Sequence, residues 1–177
     1  MSYANVMILE TEQKVRIRVT SLDKPQIPEK TEKEWILMLN DAAAKLKISA
    51  AIITKVGQKD IEVFAESTNK GNPYEPKAKI ALGTGLYCET VLARNRELAV
   101  SNAKTHPHWK ANSEAKNEMI SYYGLPIKWP DGEFFGTVCI LDKKPMFLSS
   151  EIKRITAECR IEAEKSLACL TDDLRAQ

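Results

Sequence analysis

Four cysteines, two histidines and one Gly-x-Gly turn are the residues with the most chemistry to offer, and their spacing limits each of them. Cys88, Cys139, Cys159 and Cys169 contain no C-x-x-C pair, so neither a zinc site nor a disulfide framework follows. Cys88 stands in Leu86-Tyr87-Cys88-Glu89-Thr90, just ahead of a short helical stretch, where backbone N–H groups can lower a thiol pKa. A redox role calls for a resolving partner, and Cys139 falls on an expected core strand. A buried, inert thiol is the simpler expectation. His106-Pro107-His108 brings two imidazoles together, but no nearby carboxylate or Cys completes a ligand set, so the pair reads as a loop entering a helix. Gly83-x-Gly85 is not a dinucleotide fingerprint, no phosphate-cradling G-x-x-x-x-G-K-[ST] occurs, and Gly124 and Gly136 flank no nucleophilic serine. Tyr87, Tyr122, Tyr123, Trp109 and Trp129 are suited to lining a cavity, with core packing as the competing role.

The elements that position these residues follow from periodicity. Residues 1–28 read as an N-terminal arm ending at Pro25 and Pro28, with Val15, Ile17 and Val19 alternating with Lys14, Arg16 and Arg18 as a half-exposed extended segment. Trp35, Leu39, Ala42 and Leu46 share one face of a helix over 29–47, and Thr31 with Glu34 resembles a capping box. Ala50–Val56 and Ile61–Ser67 read as strands around a Gly57–Asp60 loop. Residues 69–79, with Gly71, Pro73 and Pro76, read as loop. A helical turn at Glu89–Arg94, a strand at Glu97–Val100 and a helix within His106–Met119 come next. Ser121–Trp129 and Phe134–Asp142 flank Pro130-Asp131-Gly132 as a β-hairpin. The last element is a helix over 149–174, capped by Ser149 or Ser150. Its stripe of Ile152, Ile155, Cys159, Ala163, Leu167, Leu170 and Leu174 repeats about every 3.7 residues. A helix this long can outrun a small core and leave a remainder for a second copy of the chain to cover; the alternative is that it only closes the monomer core. The order gives α+β, an antiparallel sheet covered on one face by terminal helices.

Composition removes several classes of function. The chain has 177 residues, 44% hydrophobic and 28% charged, which suits one packed domain rather than a disordered chain. Its net charge of +2 is spread among interleaved acids and bases, which argues against nucleic acid. No apolar run approaches the ~20 residues of a membrane span, and charges at Glu10, Glu12, Lys14, Arg16 and Arg18 break any signal-peptide core. The expectation is a cytoplasmic protein in a reducing compartment.

Read together, Gly83-Thr84-Gly85-Leu86-Tyr87-Cys88-Glu89-Thr90-Val91, Leu98-Ala99-Val100-x-Asn102-Ala103 and Trp109-x-x-Asn112 resemble the GAF domain of bacterial signalling proteins. The match continues through Ser121-Tyr122-Tyr123-Gly124-Leu125-Pro126-Ile127-x-Trp129-Pro130-Asp131-Gly132 and Phe135-Gly136-Thr137-Val138-Cys139-Ile140-Leu141-Asp142. With Asn72-Pro73-Tyr74, it is similar to the subgroup that precedes histidine kinase or diguanylate cyclase modules, over residues 30–170. The resemblance implies a GAF/PAS-like six-stranded antiparallel sheet flanked by N- and C-terminal helices, with a pocket between the sheet and the middle segment. The cyclic-nucleotide signature of phosphodiesterase GAF domains is incomplete, since Asn69-Lys70 is present and no Asp-Glu dipeptide occurs. The Cys beside a His that anchors bilins is absent. Free methionine sulfoxide reductases share the fold, and Cys88 falls near one of their cysteine positions, but residues 103–120 supply no others. Asn102 stands where the family commonly has Asp, and Ser113 where it has Pro.

The expectation is thus a non-enzymatic sensory domain spanning 29–174, with residues 149–174 as its signalling and dimerisation helix. It would act as a homodimer and bind an unidentified small molecule through Tyr87, Cys88, Asn102, Trp109, Met119 and Tyr122. No cofactor is named by the sequence. No output module fits the length, so a downstream kinase or cyclase would be a partner or the rest of a longer protein. The alternatives are a ligandless dimerisation module and a thiol enzyme like the free methionine sulfoxide reductases.

Overall fold

Apolar runs without strict alternation dominate the central strands, and a strand of that kind must bury both faces. The computed structural model, which describes residues 4–10, 13–116 and 118–176, shows how. A six-stranded antiparallel sheet forms from β3 (Ala50–Val56), β4 (Asp60–Glu66), β5 (Lys79–Ala81), β6 (Leu98–Val100), β7 (Ser121–Lys128) and β8 (Phe134–Asp142), in the order β6-β7-β8-β3-β4-β5. One face packs under α1 (Glu29–Leu46) and α4 (Ser150–Arg175), through Trp35, Leu39, Ile53, Phe135, Ile140 and Leu167. The other packs under α2 (Tyr87–Arg94), with Ile52, Tyr87, Tyr122 and Cys139 inside it. Neighbours on β7 divide between the layers, Tyr122 to the α2 side and Tyr123 to the α1/α4 side. The α+β architecture anticipated above is present.

The arm contains a hairpin, β1 (Ala4–Glu10) and β2 (Gln13–Val19), joined to the sheet at Val19 opposite Phe134. Ile17 and Val19 are buried in the α2 layer, while Lys14, Arg16 and Arg18 stay exposed. The base of the hairpin is fixed by Glu133, which is 1% exposed. Its carboxylate accepts from Ser21 N–H at 3.0 Å and Ser21 Oγ at 2.9 Å and pairs with Lys24 at 3.2 Å. Lys24→Met leaves that buried carboxylate without its nearest cation and is expected to cost about 2 kcal/mol in urea unfolding.

Helix ends follow local chemistry. Ser149 caps α4, its Oγ accepting from Ile152 N–H at 3.2 Å, and Ser149→Ala should cost about 1 kcal/mol by the same measurement. The expected Thr31/Glu34 capping box is not used. Helix α1 starts earlier, behind Pro28 at φ −63°, with Glu29 and Glu32 at the positive end of its dipole. Residues 79–81, partly expected as loop, add the edge strand β5. The helix expected within 106–119 shrinks to α3 (Ser113–Lys116), preceded by a 3-10 turn at Ala103–Thr105. His106 is extended at φ −91° and ψ 124°, as a residue before proline prefers, so the helical path breaks there.

The α4 stripe is largely absorbed by the chain's own core. Ile152, Ile155, Cys159, Ala163 and Leu167 are buried, whereas Leu174 is 48% exposed. Helices α1 and α4 run antiparallel, with Trp35 Nε1 donating to Ser166 Oγ at 3.3 Å. Among the described residues, no helix is long and apolar enough to cross a membrane.

Candidate functional site

Three loops converge on one carboxylate. Gly83 and Gly85 take positive φ, 84° and 79°, and wrap their N–H groups onto Glu89, which accepts from them at 2.9 and 3.0 Å and from Leu86 N–H at 3.2 Å. That turn fixes the start of α2. Asn112 ties the next loop to it, donating to Gly85 O at 2.6 Å and accepting from Glu114 N–H at 2.8 Å. In the third loop Asn72 donates to Ser67 O at 2.7 Å and accepts from Tyr74 N–H at 2.9 Å, which sets the direction of Tyr74. Glu114 stands where they meet. Its carboxylate accepts from Tyr74 OH at 3.2 Å and from Tyr87 N–H at 3.0 Å.

Glu114 is 7% exposed and, among the described residues, no Lys, Arg or His pairs with it. Burial pushes its carboxyl up to about 7, against the lowering effect of its two hydrogen bonds, and the nearby Glu89 adds to the rise. Burial and Glu114 together push the Tyr74 and Tyr87 phenols up as well. Beside Glu114 opens a cleft of about 730 Å³, lined by Pro73, Tyr74, Glu75, Ala78, Ile80, Leu86, Ser113, Glu114, Glu118 and Met119. An apolar floor with a few polar groups is the usual form of a small-molecule site.

The six residues expected to hold a ligand divide into two groups. Tyr87, Cys88, Trp109, Met119 and Tyr122 come together in one buried cluster. The Tyr87 ring lies 5.0 Å from Trp109 and 4.8 Å from Tyr122, and Tyr87 OH donates to Met119 O at 3.2 Å. Of these, only Met119 lines the cleft; the rest form the packed layer behind it. Asn102 stands apart, capping its own 3-10 turn by accepting from Lys104 N–H at 3.1 Å. Sequence reasoning missed Glu114, because a Glu in a polar stretch carries no mark of burial. Tyr74 was signalled by the Asn72-Pro73-Tyr74 motif.

A second group of polar atoms lies on the central strands. Thr137 Oγ1 donates to Cys88 Sγ at 3.4 Å and lies 3.9 Å from Cys139 Sγ, while Tyr122 OH donates to Cys88 Sγ at 3.7 Å. Burial, above all, raises the Cys139 thiol.

Residues 39–158 match the family model of the GAF domain, and the chain belongs to that family. Solved structures agree on the fold. The blue-light absorbing form of the Thermosynechococcus elongatus PixJ GAF domain superposes with a TM-score of 0.64 at 13% identity, covering 78% of this chain and 85% of that one. A structure of the cyanobacteriochrome receptor PixJ gives 0.62 at 14%, covering 78% and 95%. The type II free methionine-R-sulfoxide reductase of Thermoplasma acidophilum gives 0.57 at 17%, covering 77% and 94%. No curated protein sequence matches the chain. The reductases correct one expectation: the same fold houses enzymes, so a non-enzymatic character is not supported.

Proposed function

We propose that this chain is a small-molecule-binding GAF domain of a signal-transduction protein, with its ligand in the cleft beside Glu114. The observation that carries the reading is the cleft itself. It opens where three hydrogen-bonded loops meet, and it presents a buried carboxylate that no cation among the described residues neutralises. Ligand occupancy reaches the opposite face of the sheet through β7, whose Tyr122 packs against Tyr87 and whose Tyr123 donates to Glu97 at 2.6 Å. Glu97 pairs in turn with Lys153 of α4 at 3.6 Å, and Lys128 N–H bonds Glu164 of α4 at 3.0 Å. Helix α4 is thus the output element. In this proposal it acts within a homodimer in the cytoplasm, where four free cysteines suit a reducing compartment, and it drives a kinase or cyclase module.

A fragment screen by thermal shift tests the reading, using wild type and Ala78→Phe, which fills the cleft from its half-buried rim. Fragments that raise the Tm of wild type alone support it. Fragments that protect both proteins equally, or none that protects wild type, refute it.

A second reading is a thiol reductase acting on free methionine-R-sulfoxide, favoured by Cys88 and Cys139 sharing Thr137 Oγ1. Two thiols would supply two electrons and two protons, closing a disulfide as the sulfoxide oxygen leaves as water. Dithiothreitol-dependent release of methionine that Cys88→Ser abolishes would support this reading; no release by wild type would dismiss it.

A further inference from the structure

We propose that the cleft selects an organic cation with an apolar body, such as a protonated amine, seated with its charge against Glu114. This rests on the cleft being the ligand site and goes on to name the class of ligand. The described lining contains three carboxylates, Glu75, Glu114 and Glu118, and no Lys, Arg or His. Exposed Glu75 and Glu118 alone would be an ordinary solvated rim, and Glu118 lies 3.9 Å from Lys143. Glu114 differs because it is 7% exposed and, among the described residues, its neighbours are Tyr74, Tyr87 and the further acid Glu89. A carboxylate has about four acceptor positions, and Tyr74 OH and Tyr87 N–H fill two.

A buried anion without a counter-ion is costly, and a cation brought by a ligand lowers that cost. An anionic ligand meets like charge instead. A zwitterionic amino acid would leave its own carboxylate unpaired against the same three acids, so the selection excludes by repulsion as well as attracting. The remaining lining, Pro73, Ala78, Ile80, Leu86 and Met119, suits an aliphatic or aromatic body, and about 730 Å³ holds one of ordinary metabolite size.

The protonation of Glu114 then sets affinity. With its carboxyl near 7, the ionised fraction rises roughly tenfold between pH 6 and pH 8, and affinity for a cation rises with it. The affinity of a neutral ligand follows no such rise.

Calorimetric titration with 2-phenylethylamine, 2-phenylethanol and 3-phenylpropionate separates the cases. Wild type should bind the amine at least about tenfold more tightly than the alcohol at pH 8, with that preference shrinking about tenfold at pH 6. The propionate should bind weakest. Glu114→Gln should level amine and alcohol. The exposed Glu118→Gln, which carries little folding risk, should weaken the amine about twofold. An alcohol that binds wild type as tightly as the amine, a preference for the amine that survives Glu114→Gln, or no binding by any of the three overturns the cation assignment. If the alcohol binds and Ala78→Phe abolishes that binding, the cleft stands and only the ligand class falls. If no compound binds and no fragment protects wild type over Ala78→Phe, the cleft reading falls too.

Discussion

Folding stability is expected to fall by about 3 kcal/mol between pH 4.5 and pH 8 through Glu114 alone, and Glu114→Gln should remove that fall. The sign follows from where the proton resides. In the unfolded chain this carboxyl titrates at the ordinary glutamate value of 4.5, and in the fold burial pushes it up to about 7. Between those values the native state keeps a proton that the unfolded state has released, so raising the pH favours unfolding. Above about pH 8 both states are ionised and the loss is complete. Ordinary paired carboxylates act in the opposite direction, so the effect is read as a difference between proteins. Urea unfolding of wild type and Glu114→Gln at several pH values should show the variant gaining on wild type as pH rises, levelling off near pH 8. A constant offset would mean that Glu114 is not buried as described. That offset itself should be small, since a Gln keeps one acceptor for Tyr74 or Tyr87.

Gly136→Ala should destabilise the domain by more than about 3 kcal/mol. A Cβ at this position would lie 1.8 Å from Thr54 O and 2.6 Å from the Thr54 carbonyl carbon. Both atoms are backbone, on the strand paired with β8, so no side-chain rotation relieves the clash. Gly136 lies opposite Lys55, next to the pair of Thr54 and Thr137, whose hydroxyls bond at 2.7 Å. Moving β3 away would break that bond at the centre of the sheet, directly beneath Cys88. Gly132→Ala is the control. Its φ is 87° and nothing lies within 4 Å of the added Cβ, so only backbone strain of about 1 kcal/mol applies. Equal losses for the two variants in urea unfolding would contradict the close approach of β3 and β8.

Much of this fold is legible in the chain because its signals are local. Phe134–Asp142 emerges with its expected bounds, and Ser149 caps the helix it precedes. Pairing between strands is less local. Lys79–Ala81 becomes a strand only because β4 offers an edge, which three residues do not announce. Helical propensity over 106–119 gave way to the backbone restriction that Pro107 places on His106. The long apolar stripe of α4 suggested a surface left for a partner, yet α1, β7 and β8 cover it down to Leu167. The cleft was the hardest feature to read. The aromatic residues chosen for it do cluster, but burial makes them the wall behind the cavity. The buried carboxylate at the cavity is Glu114, whose setting arises from Asn72, Asn112 and the Gly83–Gly85 turn, far apart in sequence and joined by tertiary hydrogen bonds.

Native mass spectrometry of wild type and Ala78→Phe, purified gently from the same cells, tests the ligand-binding claim most directly. Wild type should retain a reproducible small-molecule mass that Ala78→Phe lacks. An identical adduct on both proteins, or no adduct on wild type at any ionisation energy that preserves the fold, would contradict it.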